Sequence, residues 1–189
     1  MSRSSFFIEF IKKPRSIGSI TPSSDALALG FCEAIRPYLN DKKNIIEIGG
    51  GTGTITRRLA DLGKHLTVIE PNPALAQKIA AKYPKVQVVN STIQAAIGQH
   101  ISEKLLQDAV FISSLPMVSL PKKETAEIKK ALFYLLKKSK DSVLFQFTYR
   151  LGNPIPFRQS TISAKRVGLV LRNIPPAHIW KYRMEHVNT

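Results

Sequence analysis

Ile45-Ile46-Glu47-Ile48-Gly49-Gly50-Gly51-Thr52-Gly53-Thr54 joins a β-branched run to a glycine cluster, and Leu66-Thr67-Val68-Ile69-Glu70 follows as a second run ending in a carboxylate. The first stretch has the spacing E-x-G-x-G-x-G. Glycines there let the chain turn sharply and bring its backbone close to a ligand that a Cβ would exclude. An acid at the end of the next strand is placed to accept both hydroxyl protons of a bound ribose. Together they specify a nucleoside-bearing ligand. A dinucleotide loop, G-x-G-x-x-G, needs a third glycine where Thr54 or Thr56 stands. No Gly-Lys-Ser/Thr follows, which excludes a Walker loop.

Glu47 narrows the choice. A carboxylate just before the glycines suits a cationic ligand end and would repel a pyrophosphate. S-adenosylmethionine has such an end, an ammonium and a sulfonium beside its adenosine, and is the expected cofactor.

The elements that position these groups alternate. Strand 44–48 leads to helix 54–62, closed by Gly63. Strand 66–70 leads to helix 73–83, with Asn72 as its cap and Pro73 in its first turn. Strand 86–90 precedes a weak helix near 93–105, strand 108–113 precedes the lysine-rich helix 122–138, and 142–149 is a fifth strand. Such alternation predicts an α/β, Rossmann-like, mostly parallel sheet with ligands at the carboxyl ends of its strands. The strand ends Gly49–Gly53, Glu70, Asn90–Thr92 and Ser113–Pro116 should then line one crevice. Two further runs, 166–174 and 178–184, are joined by Pro175-Pro176-Ala177 and predict an antiparallel hairpin completing seven strands. A helix capped by Ser24 and running to about Leu39 precedes the sheet.

Composition bounds the rest. At 189 residues the chain suits one domain, with 43% hydrophobic and 8% aromatic residues as in soluble globular proteins. No run of 18 apolar residues or secretory signal is evident, and a reducing cytoplasm is expected. The single cysteine, Cys32, and four scattered histidines predict neither a disulfide nor a metal site. The net charge is +15, and residues 122–189 hold 14 Lys/Arg against 4 Asp/Glu. That excess favours a polyanionic partner, nucleic acid or anionic lipid.

Residues 4–13 form a short amphipathic stretch. On a helical wheel Phe6, Phe7, Phe10 and Ile11 share an arc of about 140°, opposite Ser5, Glu9, Lys12 and Lys13. Pro14 ends it. Residues 1–22 are thus expected to be a membrane-binding or lid segment ahead of a catalytic domain at 23–189.

The chain resembles bacterial phospholipid N-methyltransferases, which convert phosphatidylethanolamine to phosphatidylcholine and include relatives acting on ornithine lipids. The resemblance rests on Pro14–Ser24, Glu47–Gly53, Ile69-Glu-Pro-Asn-Pro73, Ser113-Ser-Leu-Pro-Met-Val-Ser-Leu-Pro121, Phe147-Thr-Tyr149 and Arg172-Asn-Ile-Pro-Pro-Ala-His-Ile-Trp180. The Ser-Ser-Leu-Pro and Arg-Asn-x-Pro-Pro-Ala-x-x-Trp runs are its specific parts; the glycine loop is common to class I methyltransferases. Two positions depart from the family. Asn90-Ser91-Thr92 replaces the usual Gly-Asp-Ala, so Ser91 stands where an Asp meets the adenine amino group. Arg150 follows the Thr-Tyr pair in place of glycine and is suited to meet a lipid phosphate.

The resemblance implies Glu47, Gly49, Gly51 and Gly53 near the methionine end of the cofactor, Glu70 on the ribose, and Ser91 and Thr92 beside the adenine. Ser113 would join the cofactor-binding set, Ser114 would border the reacting centre, and Tyr149 would present an aromatic face to an amine that gains fixed charge as it is methylated. Trp180 and Arg172 belong to the terminal hairpin on the substrate side. At the bilayer, Phe6, Phe7 and Phe10 would bury apolar area, while Lys12, Lys13, Arg15 and Arg3 would each add about 1 kcal/mol against anionic lipid. The expected location is peripheral, on the inner face of the cytoplasmic membrane. The competing reading is an RNA adenine dimethyltransferase. Its Asn-Leu-Pro-Tyr signature corresponds to Ser114-Leu115-Pro116-Met117 here, which lacks the amide and the stacking aromatic. Such enzymes also usually carry a C-terminal helical domain, whereas this sequence ends after the hairpin, so a nucleic-acid partner is disfavoured.

Overall fold

The structure is a computed structural model that describes residues 24–42, 44–138, 141–157 and 161–185. The amphipathic stretch 4–13 and the segment 1–22, with Arg3, Phe6, Phe7, Phe10, Lys12, Lys13 and Arg15, lie outside the described residues. Helix α1 (Asp25–Ile35) starts where Ser24 accepts a hydrogen bond from the N–H of Leu27 at 3.1 Å. It gives way to a 3₁₀ turn, Arg36–Tyr38, before the expected end at Leu39. Pro37 has no N–H to continue the helical ladder.

The five parallel strands are β1 (Asn44–Ile48), β2 (His65–Ile69), β3 (Gln87–Val89), β4 (Ala109–Ser113) and β5 (Val143–Thr148). Helices α2 (Thr54–Ala60), α3 (Pro73–Lys82), α4 (Ile93–Gln99), α5 (Glu103–Gln107) and α6 (Lys122–Lys137) connect them, and β6 (Ile162–Val170) and β7 (Ala177–Met184) close the described chain. The sheet order is β3-β2-β1-β4-β5-β7-β6, with β7 antiparallel to both of its neighbours. Strand order reverses beside β1, between β2 on one flank and β4 on the other. Crevices at such a reversal take ligands at the carboxyl ends of the strands.

Alternation along each strand divides two cores. Ile45, Val68, Val110, Ile112, Phe145 and Ile179 pack under α1, α2 and α3; Ile46, Ile48, Ile69, Phe111 and Leu144 pack under α4, α5 and α6. Each such fully buried side chain is worth about 1.5–3 kcal/mol. β1, β4 and β5, with apolar residues committed to both faces, are therefore poorly tolerant of truncation.

Two sequence expectations shift. The single helix near 93–105 is two, because Ser102 starts a second helix by accepting from the N–H of Leu105 at 3.3 Å. The first hairpin strand runs from Ile162 to Val170 rather than 166–174, leaving 171–176 as the turn. Its outward residues are exposed, and a register shift between Arg166 and Gly168 interrupts its alternation, which hid its start.

Candidate functional site at the carboxyl edge of the sheet

The glycine loop leaves β1 with Gly49 at φ +87°, where a Cβ would stand 2.7 Å from Leu115 Cδ2. The loop is thus pressed against the segment that follows β4. Gly51, at φ +54°, has open space on its side-chain face. Its N–H donates to Glu70 Oε2 at 2.8 Å, and the N–H of Asn72 donates to Glu70 Oε1 at 2.8 Å. Burial raises the pKa of Glu70, while those two backbone donors, Asn72 first, pull it down. Each carboxylate oxygen has a second acceptor direction, so the pair of ribose hydroxyls expected there remains within its capacity. Asn90 Nδ2 holds the carbonyl of Glu70 at 2.8 Å, which ties the end of β3 to the same corner. Thr92 lies at that corner as the cap of α4, accepting from the N–H of Ala95, and the N–H of Ser91 donates to Val89 O at 3.0 Å.

Glu47 is fully buried. Register pairs it with Val68 and Ile112, on the α1–α2–α3 face. Thr56 of α2 donates to its Oε2 at 2.6 Å, and Oε1 is buried without a hydrogen-bond partner among the described residues. Burial pushes the carboxyl up to about 8, with the Thr56 hydrogen bond opposing and the Glu70 charge adding to the rise. A cation brought beside Oε1 would restore the ionised form. An acid poised in this way, an acceptor pair on Glu70 and an open Gly51 fit a ligand carrying both a cationic group and a diol.

Ser113 is separated from Glu47 by the sheet itself. Register pairs it with Ile48 on one side and Gln146 on the other, on the α4–α5–α6 face, so the expected single crevice is two-sided at this point. Gln146 pairs in turn with Trp180. Ser113 Oγ, Ser114 Oγ, Gln146 Oε1 and Trp180 Nε1 are buried without hydrogen-bond partners among the described residues. Gln146 Nε2 donates to the carbonyls of Leu115 at 2.8 Å and Phe147 at 2.9 Å. It holds the Ser114–Leu115–Pro116 segment against β5.

Tyr149 is half-buried, with its ring edge-on to Phe147 at 5.3 Å between centroids. Burial raises its hydroxyl pKa, and a hydrogen bond with Asn173 opposes that rise. Pro116, Met117, Val118, Phe147, Thr148 and Tyr149, with Pro154, line a small pocket. Tyr149 thus shares this pocket with Pro116, Met117 and Val118 of the post-β4 segment. Arg150 and Arg172 are exposed on the same edge, and Trp180 packs its ring on the α6-side core.

Four residues escaped the sequence reading. Gln146 interrupts the apolar strand Val-Leu-Phe-Gln-Phe-Thr, a legible signal, because a buried amide in such a strand must have partners. Thr56 and Asn173 gave none, since each acts through a contact remote in sequence. Gly50 is an unspecified position in the motif, yet a Cβ there would meet Val68 Cγ1 at 2.5 Å and Ile79 Cδ1 at 2.7 Å. Among the described residues no group of three or more His, Cys, Asp or Glu could hold a metal, and no helix is long and apolar enough to cross a membrane.

Residues 2–147 match the ribosomal RNA adenine dimethylase family. The probable ribosomal RNA small subunit methyltransferase A of Natronomonas pharaonis is 32% identical over 80 residues, 42% of this chain and 29% of that protein. The chain spans between 19% and 33% of three other methyltransferases of that kind. The ornithine lipid N-methyltransferase of Singulisphaera acidiphila is 29% identical over 139 residues, 70% of this chain and 69% of that protein. Among solved structures, the Burkholderia thailandensis 1,6-didemethyltoxoflavin-N1-methyltransferase with bound S-adenosylhomocysteine superposes with a TM-score of 0.67 at 11% identity, covering 96% of this chain and 87% of that one. At that identity the likeness concerns the fold, a Rossmann-like methyltransferase sheet finished by an antiparallel pair.

Proposed function

We propose that this chain, which belongs to the ribosomal RNA adenine dimethylase family, methylates the amine head group of a membrane lipid, either phosphatidylethanolamine towards phosphatidylcholine or an ornithine lipid. It is an S-adenosylmethionine-dependent methyltransferase. The observation that supports a lipid amine is the pocket between the post-β4 segment and the end of β5. Ser114 and Met117 stand where an adenine-gripping enzyme needs an amide and a stacking aromatic; Met117 lines the pocket, and Phe147 and Tyr149 supply aromatic faces. Of the relatives matched by sequence described above, the ornithine lipid enzyme is matched over the largest share of both chains.

The cofactor supplies an electrophilic methyl group on a sulfonium. The chain's residues orient and shield. Glu70 takes the ribose hydroxyls, Gly51 leaves room for close backbone approach, and Glu47 faces the cationic end. Gln146 fixes the Leu115 carbonyl, and with it the segment that carries Ser114, a rigid wall against which the amine would be oriented towards the donor. An ordinary tyrosine phenol is already protonated at neutral pH and burial shifts it further up, so Tyr149 serves as π face and hydrogen-bonding group rather than as base. Each methylation adds fixed charge to the amine, which aromatic faces tolerate better than a second buried cation would. Residues 1–22 act as a membrane-binding segment ahead of the catalytic domain at 23–189. Attachment is peripheral, at the cytoplasmic face.

The family match favours a second reading, N6-dimethylation of adenine in ribosomal RNA, for which the basic surface is also suited. The test is transfer of labelled methyl groups to vesicles of phosphatidylethanolamine or ornithine lipid mixed with anionic lipid, beside a tube of ribosomal RNA. Label in mono-, di- or trimethylated lipid is expected. Label in RNA alone would replace the lipid reading with the second one.

A further inference from the structure

β7 runs antiparallel to β5, pairing Thr148 with His178, and the β6–β7 turn begins beyond the Val170–Ala177 pair. The turn 171–176 therefore returns to the carboxyl edge, beside Tyr149. Three large apolar residues of that edge are strongly exposed: Ile174 at 82%, Leu151 at 76% and Leu171 at 70%. Asn173, between two of them, is 1% exposed. Its Oδ1 accepts from Ser24 Oγ, its Nδ2 donates to Pro175 O at 2.6 Å, and it hydrogen-bonds with Tyr149. The turn is inverted, with its amide inside and its aliphatic side chains outside. Anchoring at Asn173 holds Leu171 and Ile174 outward, where an unanchored turn would be free to fold them onto the domain. A cluster of exposed aliphatics at the rim of a site marks an interaction surface.

The charge around it selects the partner. Residues 142–184 contain seven Lys/Arg and no Asp or Glu, and Arg150 and Arg172 flank the apolar cluster. A polyanion is called for, but Leu151, Leu171 and Ile174 add nothing to a phosphodiester backbone. Single-stranded nucleic acid is gripped by aromatic stacking, which this cluster lacks. An anionic bilayer uses both features, aliphatics in the acyl boundary and arginines at the phosphates.

We propose that the β6–β7 turn, with Leu151, is a wedge that seats the domain on an anionic phospholipid surface and holds the Tyr149 pocket at head-group depth. The inference rests on the lipid-amine reading and adds the face by which the domain meets its substrate, independently of residues 1–22.

Ile174→Cys in the full chain, carrying an environment-sensitive fluorophore, tests it. Cys32 is buried and its thiol is pushed up to about 11, so labelling at neutral pH favours position 174. On phosphatidylglycerol vesicles the probe should brighten several-fold and shift to the blue, while the same probe at His65→Cys, on the opposite edge, stays as in water. Protein that sediments with vesicles while the 174 probe remains water-exposed would overturn the wedge, as would failure to bind vesicles or a response to ribosomal RNA alone. A second variant, Leu171→Ser with Ile174→Ser, should lose about tenfold in methyl transfer to vesicles and less than about twofold to the same lipid in detergent micelles. Equal rates on vesicles would also overturn it. Micellar transfer by the parent chain without a response at 174 sinks the wedge and leaves the acceptor reading intact. A response at 174 with no lipid methylated in either form supports the wedge and sinks the acceptor reading.

Discussion

At the ends of β1 and β2, Glu70 engages backbone N–H groups of Gly51 and Asn72 with its two oxygens, and the loop it grips is packed against Leu115, Val68 and Ile79. At the ends of β4, β5 and β7 the arrangement is opposite: Ser113, Ser114, Gln146 and Trp180 each bury a polar atom without a hydrogen-bond partner among the described residues. The first half leaves a single oxygen of Glu47 unmatched and is otherwise tied mainly to backbone donors, so it can serve one cofactor whatever the acceptor. The second carries unmatched dipoles, which native folds keep sparingly. Acceptor choice belongs there. Damage to the first half should therefore weaken cofactor binding and stability together, and damage to the second should slow transfer while cofactor affinity holds.

The largest effect is expected from Glu70→Ala. It removes the acceptor of two backbone donors, each worth about 1–3 kcal/mol when left buried and unmade. Calorimetry should show cofactor affinity down by about a hundredfold, with a lower unfolding midpoint in the same protein. A variant that loses affinity at unchanged stability would break the claim that this half is one unit. Glu47 sharpens it through pH. Its folded pKa of about 8 lies above the ordinary glutamate value, so the native state holds the proton more tightly than the unfolded chain. The stability this contributes is present below the ordinary value near 4.5 and is lost as pH rises through about 8. Ligand-free protein should thus lose stability, on the order of a few kcal/mol, between pH 5 and pH 9, and Glu47→Gln should flatten much of that slope in urea titrations. Cofactor binding, which needs the ionised acid, should strengthen over the same window in the parent chain. Parallel slopes in the two proteins would assign the pH dependence elsewhere.

The halves also differ in how legible they were. The β-branched run Ile45–Ile48, the Asn72 cap and Glu70 announce themselves within a few residues of one another, and they stand where their spacing predicts. Both the α/β alternation and the closing hairpin follow from such local signals. Gly50 was hidden because its constraint is a contact with Val68 and Ile79 rather than a backbone angle. In the acceptor half the decisive contacts are long-range: Gln146 to Leu115, and Asn173 to Ser24 across 149 residues. No periodicity encodes those. Alternation also puts Ser113 and Glu47 on opposite faces of the sheet, a separation that strand ends alone do not reveal.

Gln146→Leu probes the second half directly. The substitution keeps volume and removes the two N–H···O contacts to Leu115 and Phe147, leaving two buried carbonyls each short of one donor. A stability loss of about 1–2 kcal/mol is expected, with turnover down by about tenfold or more because the Ser114–Pro116 segment is no longer held in register. Cofactor affinity should stay within about twofold, since the amide touches nothing in the glycine loop. A large fall in cofactor affinity would merge the two halves into one site.

Tyr149→Phe is the smallest change and the most discriminating. It keeps the ring beside Phe147 and deletes the hydroxyl that meets Asn173. If the ring face is what the cationic amine uses, turnover should change by no more than about threefold, an energy below 1 kcal/mol. Tyr149→Ala, which removes the face, should then cost about tenfold or more, and most in the later methylations, where the amine's charge has become permanent. Equal losses in Phe and Ala would give the role to the hydroxyl and its hydrogen bond to Asn173. The β6–β7 turn would then be coupled to the chemistry through that bond as well as through its position on the edge.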